Sequence, residues 1–351
     1  MLLANVSFSL VQNSTTIDYV WNYTQNKTLD VWGVWDTGYY LDIAANGYSS
    51  AISTRPETLN QANYAFFPLY PLFIRFVDVL TNDLVLSGFL ISNISTFIAS
   101  IFLYKLVSLE FNDDKMAKAA VTFMYFFPTA FVFTSLYTES LFLMLTIGAF
   151  YFLKKKNYPL AGILGFFSSL TRLTGILLVI PFLIDVFNSE QKFWDRVKNG
   201  IYAALIPLGT VVYSWYVGSL TGDVLAFLKI QQNWGRKIGN PLAYIIDGIN
   251  SNLVQHHFTS WFTVLVLVLA VLSFFYLKEK YSVYTFYILL TPLLTGITSM
   301  PRYALSAFPL FIFLALVARK YPTLGTFITY GALLTQGIML VFWVNGFDLL
   351  M

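Results

Sequence analysis

The feature that most constrains this chain is the spacing of its apolar runs. Ten stretches, at about 83–107, 117–135, 137–153, 158–171, 174–187, 200–220, 258–277, 282–299, 303–318 and 323–345, are dominated by aliphatic and aromatic residues and separated by polar turns. A straight transmembrane helix needs about 20 consecutive apolar residues. Several of these runs are shorter, so tilted or broken spans are expected among them. The composition agrees: 11% of the residues are charged, where soluble domains carry about 25%. The fold class expected is all-α, a polytopic membrane protein with about ten transmembrane helices embedded in a lipid bilayer.

The turns divide by charge. Residues 105–118, 154–156, 188–199, 278–280 and 319–320 alternate onto one side and hold 13 of the 21 Lys and Arg. By the positive-inside rule that side is cytoplasmic. The other side holds the remaining eight basic residues and eleven of the eighteen acids, which gives −3 outside against +6 inside. Two segments are expected: residues 1–82, an extracytoplasmic N-terminal segment with a catalytic loop and an interfacial helix, and residues 83–345, a transmembrane bundle that includes the long outer loop 221–257. The sequons at Asn5, Asn13, Asn22 and Asn26 are compatible with an exterior N-terminus. Tight turns inside and elaborate polar loops outside put the chemistry on the outer face. No internal repeat is visible, which counts against an inverted-repeat transporter.

Several function classes lack their residues. The chain has no cysteine, hence no disulfide framework, thiol nucleophile or thiolate metal site. Two histidines, His256 and His257, are too few for a histidine metal cluster. There is no Asp-x-Asp, no Walker loop and no Gly-x-Gly-x-x-Gly. No metal, cofactor or nucleic-acid partner is expected.

On the outer face, "WDTGYYLDIAANGYSS" (35–50) places Asp36 and Asp42 among aromatics. It reads either as an interfacial loop anchored by Trp32, Trp35, Tyr39 and Tyr40, or as a carboxylate held near the lipid boundary as a general base. "FFPLYPLF" (66–73) reads as a short helix lying on the membrane, started or kinked by Pro68 and Pro71. Arg172, Arg236 and Arg302 also fall on this side. Each alone could snorkel to lipid phosphates. Together, opposite a carboxylate loop, they suit a shared anionic ligand, because a guanidinium binds two oxygens of a phosphate at once. Glu139 opens a span, where an acid complements the helix dipole. His256 and His257 stand at the mouth of another.

The fragments "VWDTGYYLDIAANGY", "YAFFPLYPLFIR", "YTESLFLML", "SSLTRLTGILL", "GDVLAFLKIQQNWGR" and "SMPRYALSAFPLF" resemble, in order, motifs of the PIG-V family, whose eukaryotic members act as the second mannosyltransferase of glycosylphosphatidylinositol assembly. The resemblance runs from about residue 32 to residue 315. It implies a GT-C type helical bundle and a membrane glycosyltransferase using a polyprenyl- or dolichyl-phosphate sugar donor, with inversion, at an extracytoplasmic site. The sugar implied is mannose and the acceptor a glycan or glycolipid. The resemblance also implies that Asp36 is the catalytic base, with Arg172, Arg302 and Arg236 on the donor phosphate, and Tyr39, Glu139, Gln231 and Trp234 as candidate sugar contacts. It further implies a helix before the Trp–Asp loop, which this chain is expected to lack. The short length and lack of cysteine fit a prokaryotic relative in a plasma membrane; a eukaryotic one would sit in the endoplasmic reticulum. The alternative class is a transporter or flippase of lipid-linked anionic substrates, which would use the arginines and need no base.

Overall fold

The structure, a computed structural model, describes residues 2–14, 22–55 and 58–347. Residues 15–21 and 56–57, both within the segment read as the outer N-terminal region, and the side chain of Asn13 lie outside the described residues. All regular structure among the described residues is helical.

The N-terminal segment holds α1 (Leu2–Ser14), α2 (Lys27–Asp30), α3 (Thr37–Asn46) and α4 (Leu69–Thr81). The sequence gives no apolar run for α1, yet the helix is present. Ala4 is fully buried, and Ser7 Oγ lies 3.3 Å from Asn345 Nδ2 at the far end of the chain. Its 13 residues make a helix of about 20 Å, formed by docking rather than by hydropathy. Helix α4 starts at Pro68, where the sequence places a break. One of its faces buries Leu69, Tyr70 and Ile74, while Leu72, Phe73, Phe76, Val79 and Leu80 are exposed, the pattern of a helix lying at an apolar boundary.

The bundle begins with α5 (Leu84–Phe111) and α6 (Asp114–Phe126). Asp83 caps the start of α5, accepting from the backbone N–H of Val85 and Leu86 at 2.9 and 3.0 Å. The left-handed Asn112 ends it, so the next helix can turn back at once. Next come α7 (Glu139–Lys154), α8 (Tyr158–Thr171), α9 (Val179–Phe187), α10 (Phe193–Gly200) and α11 (Leu205–Thr221). The outer loop contributes α12 (Ala226–Lys229) and α13 (Pro241–Ile249), and α14 (Val254–Ser273), α15 (Glu279–Leu293), α16 (Met300–Tyr303), α17 (Pro309–Lys320) and α18 (Pro322–Val344) complete the chain. Helices α8 and α11 cross closely at glycine: a Cβ on Gly209 would lie 2.3 Å from the Phe166 carbonyl oxygen, so only glycine fits this crossing.

Four helices among the described residues are long and apolar enough to cross a membrane: Leu84–Phe111, Phe193–Thr221, Val254–Ser273 and Pro322–Val344. A fifth results if Met300–Ser306 and Pro309–Lys320, bent by 81°, count as one span. Their outward faces carry large apolar side chains such as Trp215, Trp261, Leu265, Phe327 and Leu334, a belt that water would not tolerate. The chain is an integral membrane protein. The ten spans expected from hydropathy, some of them tilted or broken, are not all present as single helices. The runs at 117–135, 174–187 and 282–299 are broken or end early, and those at 137–153 and 158–171 are helices of 16 and 14 residues. Helix α7 explains why shortness is tolerated. Twelve of its 16 residues are buried, so protein surrounds it instead of lipid.

The lysine-bearing turns meet at one end of the bundle. Glu110, at the end of α5, pairs with Lys154 at 3.1 Å and Lys278 at 2.5 Å. Asp185 of α9 pairs with Lys156 at 2.9 Å and Lys280 at 2.6 Å, and Arg319 pairs with Asp113 at 2.9 Å. Helix α7 carries Lys154 at this end and Glu139 at the other, about 22 Å away at 1.5 Å per residue. The bundle thus has two ionic ends, a lysine end and an arginine end.

Candidate active site

At the arginine end, Asp36 precedes α3, and the residue before it is strained. Trp35 has φ +53°, a left-handed conformation that is rare for a bulky side chain. Tyr137 clamps both sides of this kink: the Asp36 N–H donates to Tyr137 Oη at 2.9 Å, and the Tyr137 hydroxyl donates to the Val34 carbonyl at 3.1 Å. The turn that leads into α7 therefore fixes where Asp36 points.

Asp36 Oδ2 accepts a hydrogen bond from Arg302 Nη1 at 3.2 Å, between residues 266 apart in sequence. Arg302 sits on α16, directly after Ser299, a second left-handed residue with φ +64°. The Thr129 hydroxyl holds this short helix through the Pro301 carbonyl at 2.9 Å. Arg302 Nε also lies 3.5 Å from Glu139 Oε1, and Arg172 Nη1 lies 2.8 Å from the same oxygen. Arg172 reaches it because α8 ends there in extended backbone, φ −154° and ψ 147°. Asp36, Arg302, Glu139 and Arg172 thus form an alternating ionic chain. The side chains of Arg302 and Glu139 are 5% and 1% exposed, so each charge depends on the next for compensation. Arg236 approaches from the outer loop. It has no carboxylate within ion-pair distance among the described residues; its guanidinium lies over the Tyr303 ring, 5.3 Å from the centroid.

These groups line one cavity of about 890 Å³. Asp36, Glu139, Arg172, Arg236, Arg302, Gln231 and Trp234, all selected from sequence, are on its wall. Tyr39 is not: it stacks behind Phe66, ring centroids 4.6 Å apart, and its hydroxyl donates to Gln61. Burial, and then the nearby Asp36 charge, push the Tyr39 hydroxyl up to about 12, so it remains a donor. Tyr40 lines the cavity in its place. The Gln231 amide donates to the Ala65 carbonyl at 3.2 Å, which ties the outer loop to the segment after α3. His256 is on the wall and His257 is not. Asp42 points elsewhere, its two oxygens accepting from Asn46 and Asn63 at 2.9 Å each.

Residues that sequence reasoning passed over are Tyr137, Tyr303 and Lys237. Both tyrosines stand inside fragments already singled out, "YTES" and "MPRY", but an aromatic within a membrane segment carries no signal that separates it from packing. Among the described residues no group of three or more Asp, Glu or His side chains is placed to hold a metal ion. The cavity wall carries two carboxylates, Asp36 and Glu139, and four cations, Arg172, Arg236, Lys237 and Arg302. That surplus of two positive charges suits an anionic ligand.

Comparison with known proteins gives a consistent set of similarities. The family described as mannosyltransferase (PIG-V) matches residues 4–187, a stretch that contains Asp36, Glu139 and Arg172. GPI mannosyltransferase 2 of Schizosaccharomyces pombe is 34% identical over 171 residues, 48% of this chain and 34% of that protein. The Yarrowia lipolytica protein of the same name is 24% identical over 196 residues, 56% of this chain and 52% of that protein. The matched stretches thus span about half or less of these curated relatives. Among solved structures, the Archaeoglobus fulgidus oligosaccharyltransferase in complex with zinc and sulfate aligns over 98% of this chain and 52% of its own, at 12% identity and a TM-score of 0.49. The same organism's enzyme with an inhibitory peptide and a dolichol-phosphate aligns over 99% and 56%, at 13% identity and a TM-score of 0.48.

Proposed function

We propose, from the premise that the chain belongs to the PIG-V mannosyltransferase family, that it transfers a sugar, mannose by family, from a polyprenyl-phosphate donor to a hydroxyl of a glycan or glycolipid, with inversion. The observation that carries this reading is the convergence of Asp36 and the arginines on one cavity wall. Asp36 takes the proton of the acceptor hydroxyl as its oxygen attacks the anomeric carbon. The bond from that carbon to the phosphate oxygen breaks, and the lipid phosphate leaves. A phosphodiester with one negative charge becomes a phosphomonoester with two, so cations placed beforehand lower the barrier by meeting charge that develops in the transition state.

The ionic chain distributes these roles. Arg172 is committed to Glu139 at 2.8 Å and acts on the site mainly by holding that carboxylate. Arg236 and Lys237, without acidic partners among the described residues, receive the donor phosphate. Arg302 turns from Asp36 to the phosphate when the donor arrives, which leaves Asp36 free to act as a base. Gln231 and Trp234 bound the space for the sugar. The cavity faces away from the lysine end, and the lysine end is cytoplasmic by the positive-inside rule. The reaction therefore takes place on the extracytoplasmic face, of the plasma membrane in a prokaryote or of the endoplasmic reticulum in a eukaryote.

The test uses membranes containing the full chain, incubated with polyprenyl-phosphate-mannose labelled in the sugar. Label is expected to move to a new product with release of polyprenyl phosphate, and to do so far more slowly in Asp36→Asn. Label that crosses the bilayer still attached to its polyprenyl phosphate would establish transport instead. No difference from membranes without the chain would overturn both.

A further inference from the structure

Three guanidinium groups surround one aromatic ring. The Cζ atoms of Arg172, Arg236 and Arg302 lie 5.1, 5.3 and 5.5 Å from the centroid of Tyr303. All three distances fall within the range where a cation is attracted to the face of an aromatic ring. Three like charges in so small a volume repel one another. Glu139 and Asp36 offset that repulsion for Arg172 and Arg302. Nothing comparable serves Arg236: among the described residues the Tyr303 ring is the only group with a recorded attraction for its guanidinium. Arg236 also follows Gly235, which has φ +71° and ends the helical turn Ile230–Trp234.

We infer that Tyr303 is a positioning residue for the lipid-phosphate site: its ring holds Arg236 against the buried arginine pair, so that a guanidinium with no acidic partner among the described residues faces the cavity. This rests on the reading of the cavity as a site for a polyprenyl-phosphate donor. The ring, rather than the hydroxyl, does the holding. Tyr303 lines the cavity, and its neighbour Arg302 makes the contact with Asp36, so one turn of α16 supplies both the shared arginine and the platform for the loop arginine. A platform of this kind suits a donor that must enter and a product that must leave. A face contact with an aromatic orients a cation without neutralising it, as a carboxylate would.

The test measures binding rather than turnover, so that it stands apart from the sugar and the acceptor. Farnesyl phosphate and farnesol are titrated against the purified chain in detergent. The wild type is expected to bind the phosphate in preference to the alcohol. Tyr303→Leu should weaken farnesyl phosphate by about 2- to 30-fold, the range spanned by cation–aromatic contacts, and leave farnesol unchanged. Tyr303→Phe should restore the binding. In an Arg236→Ala background Tyr303→Leu should add little, because the group it holds is gone. Phenylalanines with increasing fluorine substitution at 303 keep the ring volume while draining its face of charge, and affinity should fall stepwise with each fluorine even if the leucine variant fails to fold. A phenylalanine variant as weak as the leucine variant would assign the role to the hydroxyl and overturn the inference. So would equal affinity across the fluorinated series, additive effects of Tyr303→Leu and Arg236→Ala, or a wild type that does not distinguish farnesyl phosphate from farnesol. A chain that shows the expected pattern but transfers no sugar would keep the anion platform and remove the transferase reading.

Discussion

Asp36→Asn separates two roles that the structure joins in one ion pair. The substitution removes one negative charge and almost no volume, and the amide can still accept a hydrogen bond from Arg302. Arg302 also keeps its contact with Glu139 at 3.5 Å, so no buried charge is stranded and the fold should survive. Turnover should fall by about 10²- to 10⁴-fold, the usual contribution of a positioned general base. Binding of the lipid phosphate should change in the opposite direction. In the wild type the phosphate competes with Asp36 for a guanidinium held at 3.2 Å. A hydrogen bond between charged groups contributes about 1.5–3 kcal/mol. Full release of that contact corresponds to about 10- to 150-fold in affinity, and partial retention of the pair would lessen it. The variant should therefore bind farnesyl phosphate at least several-fold more tightly while turning over poorly. The assay is one titration and one initial-rate series on the same preparation, with equal detergent melting as the entry condition. Asp42→Asn is the control, because Asp42 is bound to Asn46 and Asn63 outside the cavity and should behave as wild type in both. Unchanged turnover in Asp36→Asn refutes the base. Unchanged or weaker phosphate binding refutes the competition for Arg302.

Three other outcomes follow from the two ionic ends. Glu139→Gln removes the one acid within ion-pair distance of Arg172 among the described residues, whereas Arg302 still has Asp36; the stranded Arg172 should destabilise the chain by about 3–5 kcal/mol, read as a lower melting temperature in detergent. Arg302→Lys keeps the charge but loses the planar fork, and should raise the donor KM more than the acceptor KM; equal effects would detach Arg302 from the phosphate. The sequence has no cysteine, so single cysteines report sidedness cleanly: Lys155→Cys should resist a membrane-impermeant thiol reagent in intact cells and Asn240→Cys should react, while the reverse pattern would invert the orientation.

The sequence revealed charge and hydropathy well and backbone direction poorly. The grouping of the lysine turns was legible because it depends only on how many times the chain crosses between them. Asp36, Glu139, Arg172 and Arg302 stood out because ionised groups next to apolar runs are costly unless paired. Their pairing order was not legible, since it depends on three local backbone events: left-handed turns at Trp35 and Ser299 and an extended residue at Arg172. None of these has a glycine or proline at the critical position to announce it. Helix α1 was missed for a related reason. Its residues are not apolar enough to read as a span, and it is held by α18 and by Asn345 just after that helix, 338 positions from Ser7. Tyr39 was misplaced relative to the cavity because neighbouring helical residues point about 100° apart, so choosing Tyr39 or Tyr40 requires the rotation of α3, which sequence does not supply.

The broken helices and the ionic chain have one physical cause. Backbone at membrane depth must have its polar groups satisfied, and irregular segments persist there only where protein or a polar cavity surrounds them. The interruptions at Thr138–Glu139, Thr171–Thr174, Thr291–Ser299 and Ser299–Ser306 all fall on the wall of the same cavity. Continuous helices would have sealed it and turned Asp36, Arg172 and Arg302 toward packing neighbours. Three of these breaks instead open a place where a charged side chain, Glu139, Arg172 or Arg302, reaches the cavity from a scaffold that is rigid one turn away. Charged groups set this way answer one another before any ligand arrives, which keeps them stable in a low-dielectric wall. On the proposed reading, a phosphate met by Arg236 and Lys237 then draws Arg302 from Asp36, and the acid so released is the one proposed as the base.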